Sequence, residues 1–349
     1  MPLFTRHSTL LQTAYSELKR RALEQPAVLA GTPGSVGVRT VSGSSFYYRQ
    51  FYDALGKKRA EYIGPVGQAN AEARARSTRE AVELAAALVK EARTLARDGY
   101  VRVDSRAAAV LGALANRGVF RGGGVLVGSH AHGVLLNELG VRGPAFRTED
   151  VDVGRGRPLT LALGPRESFE TVLAESFVPL LPVPALGRNT PSTSFKARGT
   201  DAFRVDLLAP ARGRDVATLA VPELRAHAAA LPYLAYLLRE PLAGVALGKE
   251  GVVPVNVPRP EAFAWHKMLV SQLRGETREK RAKDIEQAAV LVAVLAEDEP
   301  DALGAAFRGL PRSARSATRA GAARVVESLE KDGHARGAEV IRGIAHVAA

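Results

Sequence analysis

The segment Thr148-Glu149-Asp150-Val151-Asp152-Val153 constrains the chain more than any other stretch of it. Acid and valine alternate, which predicts a short strand, and side chains two residues apart leave a strand on the same face. Asp150 and Asp152 therefore stand side by side while Val151 turns to a core. Two carboxylates so placed repel each other unless a cation lies between them. Hard divalent ions such as Mg²⁺ select this kind of oxygen-rich geometry. Taken alone, the motif also fits an acidic edge strand in water.

Two further segments narrow the choice. Val125-Leu126-Val127 reads as a buried strand that runs into Gly128-Ser129, with a helix over 134–139 behind it. Glycine lets a ligand approach the backbone closely, and a hydroxyl and amide at a helix start suit a phosphate. Many plain turns carry Gly-Ser, so this signal is weak by itself. Phe203-Arg204-Val205-Asp206-Leu207-Leu208 places one acid in an apolar strand. A buried acid is costly unless it is paired or binds metal, and a salt bridge to Arg204 or Arg198 is the simpler way to pair Asp206.

Together, Gly128-Ser129, Asp150-Val151-Asp152 and Asp206 resemble the nucleotidyltransferase-fold superfamily related to DNA polymerase β. Val125–Ser129, Leu139-Gly140-Val141-Arg142 and Thr148–Val153 are similar to a bacterial subfamily with a long interval between Gly-Ser and Thr-x-Asp-x-Asp. The resemblance spans about residues 100 to 290. The twenty residues between Ser129 and Asp150 exceed those of minimal members and indicate an inserted loop, in which Arg142 and Arg147 are available to phosphates.

The resemblance implies transfer of a nucleotidyl group from a nucleoside triphosphate with Mg²⁺, or Mn²⁺ as the alternative ion. Asp150 and Asp152 would hold both ions and Asp206 the acceptor-side ion, with Asp206 aiding deprotonation of the acceptor. Gly128 and Ser129 would hold the β- and γ-phosphates. A Lys or Arg of a helical domain often contacts the triphosphate in this superfamily. The candidates here are Lys267, Lys283 and Arg274, each of which also fits a solvated basic helix face. Some relatives act as toxins or in toxin–antitoxin pairs, so a growth-regulating role is an expectation of the same kind.

A formal charge of +12 favours polyanionic partners. With the nucleotidyltransferase resemblance it points to RNA, such as tRNA, as the acceptor. High arginine and alanine content from a GC-rich genome explains the charge equally well. Absence of cysteine excludes disulfides, thiolate metal sites and cysteine nucleophiles, and fits a cytoplasmic protein. No run of about 18 apolar residues predicts a membrane helix, and Met1–Leu11 is too broken for a signal peptide.

The fold class expected is α+β: a mixed-sheet nucleotidyltransferase domain over 99–258, an N-terminal helix and β-hairpin module over 1–98, and a C-terminal helical domain over 259–349. In the first part, a helix is predicted over 8–30, loop over 30–45, strands over 45–49 and 59–63, and a long helix over 67–98. The hairpin mixes Phe46, Tyr47, Tyr48, Phe51 and Tyr52 with Arg49, Lys57, Lys58 and Arg59. It suits nucleic acid and, equally, packing on the central domain. Helices are expected over 105–117, 261–273 and 277–296, and a strand pair over 245–247 and 252–257.

Three other functions are compatible with parts of the sequence. A non-catalytic nucleic-acid-binding protein would keep the fold, though it has no need of three acids that repel phosphates. Nucleotidylation of a protein or small molecule uses the same chemistry. His130-Ala131-His132 raises a Zn²⁺ or Mn²⁺ hydrolase, against which residues i and i+2 diverge at a helix start. Arg121-Gly122-Gly123-Gly124 lacks the order of a Walker A loop.

Overall fold

The computed structural model describes residues 3–346, apart from residues 145, 147, 162–163, 165–166, 185–189, 200–201, 214 and 274–277. The chain opens with a short strand, β1 (Thr5–Arg6), and a helix, α1 (Thr9–Glu24), whose N-terminus is capped by the Ser8 hydroxyl accepting from the Leu11 amide. α1 ends at Glu24, short of the predicted residue 30. Three antiparallel strands follow, β2 (Ser35–Val41), β3 (Ser44–Tyr52) and β4 (Lys58–Pro65). β2 lies where the sequence predicted loop, so the hairpin is the larger part of a three-stranded sheet. The sheet rests on α2 (Ala69–Arg97) through Tyr47, Ile63 and Ala75.

Asp104 caps α3 (Ser105–Asn116) by accepting from the amides of Arg106 and Ala107. Then come β5 (Gly124–Val127), α4 (Gly128–Glu138), β6 (Val141–Arg142) and β7 (Asp150–Arg155). The helix after β5 begins at Gly128, a turn and a half before the predicted residue 134. β6 pairs with β1. After α5 (Phe169–Ala174) the chain forms β8 (Leu180–Pro182), β9 (Ser194–Ala197), β10 (Arg204–Pro210), β11 (Ala217–Val221) and β12 (Ala226–Leu231). A short helix, α6 (Leu234–Leu237), leads to the antiparallel pair β13 (Leu242–Leu247) and β14 (Val252–Val257).

The central sheet is mixed. Its path runs β11-β12-β10-β7-β5, with β9 pairing β10 and β8 pairing β9. β7 and β10 are parallel, and β5 is antiparallel to β7. Val151, Val153, Val205 and Leu207 are buried to within 1% exposure and fix which face of each strand enters the core.

The remaining chain is helical: α7 (Pro260–Leu273), α8 (Arg278–Asp298), α9 (Pro300–Arg308), α10 (Arg315–Lys331) and α11 (Ala335–Ala345). Residues 287–296 of α8 are all buried, because α7, α9, α10 and α11 surround it. Among the described residues no helix is long and apolar enough to cross a membrane.

Candidate active site

β5 delivers its last residue, Val127, beside Asp152, and β10 delivers Asp206 beside Asp152 from the other side. Asp150 stands opposite Arg204 in the same ladder. Alternation puts Asp150, Asp152, Arg204 and Asp206 on one face of two neighbouring strands, all half-buried, with the valines between them in the core. Gly128 sits at the turn from β5 into α4 with φ +68°, in the left-handed region. A Cβ there would collide with the Asp152 carboxylate, so glycine leaves room for that carboxylate over the start of the helix.

A guanidinium already lies among the acids. Arg204 Nη2 is 3.4 Å from Asp150 Oδ1, and Arg204 Nε is 3.3 Å from Asp206 Oδ2. The Ser194 hydroxyl, on β9, donates to Asp206 Oδ1. Burial raises the Asp206 carboxyl above its ordinary range and the Asp150 charge adds to this, while Ser194 and Arg204 act in the opposite sense.

Among the described residues no three acidic or imidazole groups converge to enclose a metal ion as they stand. The donor set nonetheless fits a hard divalent cation. Three carboxylates share one face, and a side-chain-free position accommodates one of them. Asp150, Asp152 and Asp206 are the residues that would hold it.

α8 closes the other side of the Gly-Ser turn. Gln287 is fully buried, and its Nε2 donates to Ser129 Oγ at 3.3 Å. One turn earlier, Lys283 is partly buried, and burial together with the nearby Lys267 lowers its pKa. The charges of Asp284, Asp150 and Asp152 oppose that shift, so Lys283 lies within electrostatic reach of the two strand acids. Lys267 is buried on α7 and its Nζ donates to Asp284 Oδ1 at 2.6 Å.

Arg142 lies elsewhere: it is on β6, against Gly99 and near His7, beyond the far end of α4 from Ser129. The 11 residues of that helix rise about 16 Å. Arg274 and Arg147 fall outside the described residues. The structure thus brings Asp150, Asp152, Asp206, Gly128, Ser129 and Lys283 together and leaves Arg142 apart. Ser194 and Gln287 carry no sequence signal, because what marks them is their pairing with residues far along the chain.

His130 and His132 lie near the start of α4. Both line one cavity of about 380 Å³ with Ser129, Phe146 and Thr148. Burial lowers His130 to about 4 and His132 to about 3, so both are neutral at physiological pH. A larger cavity, about 650 Å³, lies between β3, β4, α3 and α5, lined by Phe51, Arg59 and Phe177 among others, away from the acids.

No curated protein and no solved structure is significantly similar to the chain. A family model described as nucleotidyltransferase matches residues 105–310, more than half of the sequence and a span that contains every acid of the site. The chain belongs to this nucleotidyltransferase family.

Proposed function

We propose that the protein transfers a nucleoside monophosphate from a nucleoside triphosphate to an RNA hydroxyl. The observation that carries this reading is the register of β7, β10 and β5, with Asp150, Asp152 and Asp206 on one face beside Gly128. In the transfer, the acceptor oxygen forms a bond to the α-phosphorus, the bond from that phosphorus to the β-phosphate oxygen breaks, and pyrophosphate leaves. Mg²⁺ bound by the three carboxylates would supply charge neutralisation at the triphosphate and acidify the acceptor hydroxyl. The chain's own part is to orient. Gly128 and Ser129 present backbone amide and hydroxyl to the terminal phosphates, Lys283 adds a cation on that side, and Asp206 takes the acceptor proton. RNA as the acceptor is supported by the charge of +12.

The experiment is transfer of label from each α-³²P-nucleoside triphosphate, with Mg²⁺, into total RNA and into protein. Label in RNA that disappears in Asp150→Ala/Asp152→Ala supports the reading. Label in protein alone replaces the acceptor. A folded protein that labels nothing removes the enzymatic reading.

One observation favours a non-catalytic protein that keeps the fold, namely the Arg204 guanidinium between Asp150 and Asp206. Mg²⁺-dependent thermal stabilisation by a nucleoside triphosphate separates the two, because a pure binder responds to oligonucleotide without metal.

A further inference from the structure

The β2–β3–β4 sheet has two different faces. One face turns Tyr47, Arg49, Phe51 and Ile63 inward, all buried, with Tyr47 and Ile63 against α2. Arg49 is 1% exposed and is held by the carbonyls of Ala30, Thr32 and Pro33. The opposite face follows from the register. Arg39 is opposite Phe46, Gly37 is opposite Tyr48, Tyr48 is opposite Tyr62, and Tyr52 is opposite Lys58. Phe46, Tyr48, Tyr52 and Tyr62 therefore form a strip of rings on one side. The Tyr62 centroid is 5.9 Å from that of Phe46 and 5.5 Å from that of Tyr48.

This strip lies open. Tyr52 is 53% exposed and Tyr62 55%, and Phe46 and Tyr48 are half-buried. Beside Tyr48, a Cβ on Gly37 would have no neighbour within 4 Å, so the space next to that ring is free. Arg39 and Lys58 stand exposed at its two ends. The only acids between residues 35 and 65, Asp53 and Glu61, are paired with Arg59 and Arg49. An apolar partner would leave the two cations unmatched. A strand with planar bases and a phosphate at every step matches both rings and cations.

We infer that the open face of the β2–β3–β4 sheet is a binding platform for single-stranded RNA, with unpaired bases stacked on Phe46, Tyr48, Tyr52 and Tyr62 and phosphates held by Arg39 and Lys58. It shares with the proposed function only the choice of RNA as partner; binding here needs neither nucleotide nor metal. A paired helix hides its base faces, so the rings select unpaired strands.

Fluorescence anisotropy with a labelled 12-nucleotide RNA of mixed sequence tests this, comparing the free strand with the same strand annealed to its complement. The single strand is expected to bind at least tenfold more tightly. Tyr48→Ala and Tyr62→Ala should each weaken it about five- to hundredfold, and Tyr62→Phe should leave it unchanged. Arg39→Glu/Lys58→Glu changes two exposed side chains and should also abolish most binding, while Arg39→Ala/Lys58→Ala lowers the salt slope by about 1.4. Binding should persist in EDTA without nucleoside triphosphate, where transfer cannot occur, so a failure of transfer and a failure of binding read out separately. Equal or tighter binding of the duplex, parental binding by folded alanine and charge-reversal variants, or no RNA binding at all would overturn the inference.

Discussion

The carboxylate of Asp152 occupies the space into which any side chain on Gly128 would project. Gly128→Ala therefore meets two penalties, a left-handed φ and a collision with the acid. The expected cost is about 1–3 kcal/mol of stability, read as a lower urea midpoint. Because misplacement by about 1 Å can cost a hundredfold in rate, nucleotidyl transfer should fall at least about tenfold. A variant with parental stability and activity would show that Asp152 moves aside freely.

Arg204 competes with any cation for Asp150 and Asp206. Its side chain is 41% exposed, so the pairing is worth about 1 kcal/mol or less. Arg204→Ala should lower the thermal midpoint slightly in EDTA and enlarge the upward shift produced by Mg²⁺. An unchanged Mg²⁺ shift would mean that the guanidinium and the metal do not share oxygens.

Lys267 and Asp284 form a buried pair. Removing Lys267 takes from the buried Asp284 carboxylate the ammonium that donates to it at 2.6 Å, so Lys267→Met should cost about 3–5 kcal/mol. Lys267→Met/Asp284→Leu should recover much of it. A double-mutant cycle from urea unfolding measures the coupling, and additive losses would contradict it.

His130 and His132 predict acid lability. Burial depresses both, to about 4 and about 3. Between those values and the ordinary value near 6.5, the unfolded chain takes up protons that the folded chain refuses. Stability is thus fully present above about pH 7 and is lost as pH falls, by about 1.4 kcal/mol per pH unit for each imidazole. His132→Leu should remove one imidazole's share of that slope in urea titrations from pH 7 to 4.5, and an unaltered slope would refute the assignment.

The acids were legible because alternation is local: Val151 and Val205 must face a core, which turns Asp150, Asp152 and Asp206 outward together. The sequence offered Arg204 or Arg198 as the partner of Asp206, and the structure pairs it with Arg204. That Asp152 sits between Val127 and Asp206 was not legible, since register depends on pairing across some 50 residues. β2 escaped because Gly34, Ser35 and Gly37 give it a turn-like composition, and only its pairing with β3 makes it a strand. The early start of α4 escaped similarly. Gly128 and Gly133 are poor helix formers, yet a Cβ on Gly133 would lie 2.8 Å from Val101, so tight packing selects glycine there. Lys267 read as an outward cation because the acid that buries it lies 17 residues away on the next helix.

α2 joins two separate cores. Ala71 and Ala75 belong to the end under the sheet, and Leu88, Ala92 and Leu95 pack with Tyr15, Leu18 and Tyr100 at the other end. None of residues 76–84 between them is buried. The helix has 29 residues and rises about 44 Å. It therefore behaves as a shaft with a fixed phase. One residue inserted in the bare stretch would swing one end about 100° around the axis relative to the other. Seven would restore the bearing to within about 20° but move the ends about 10 Å further apart. Length changes in this helix are thus confined to near-whole double turns, and each one resets how far the sheet is carried from the rest of the molecule.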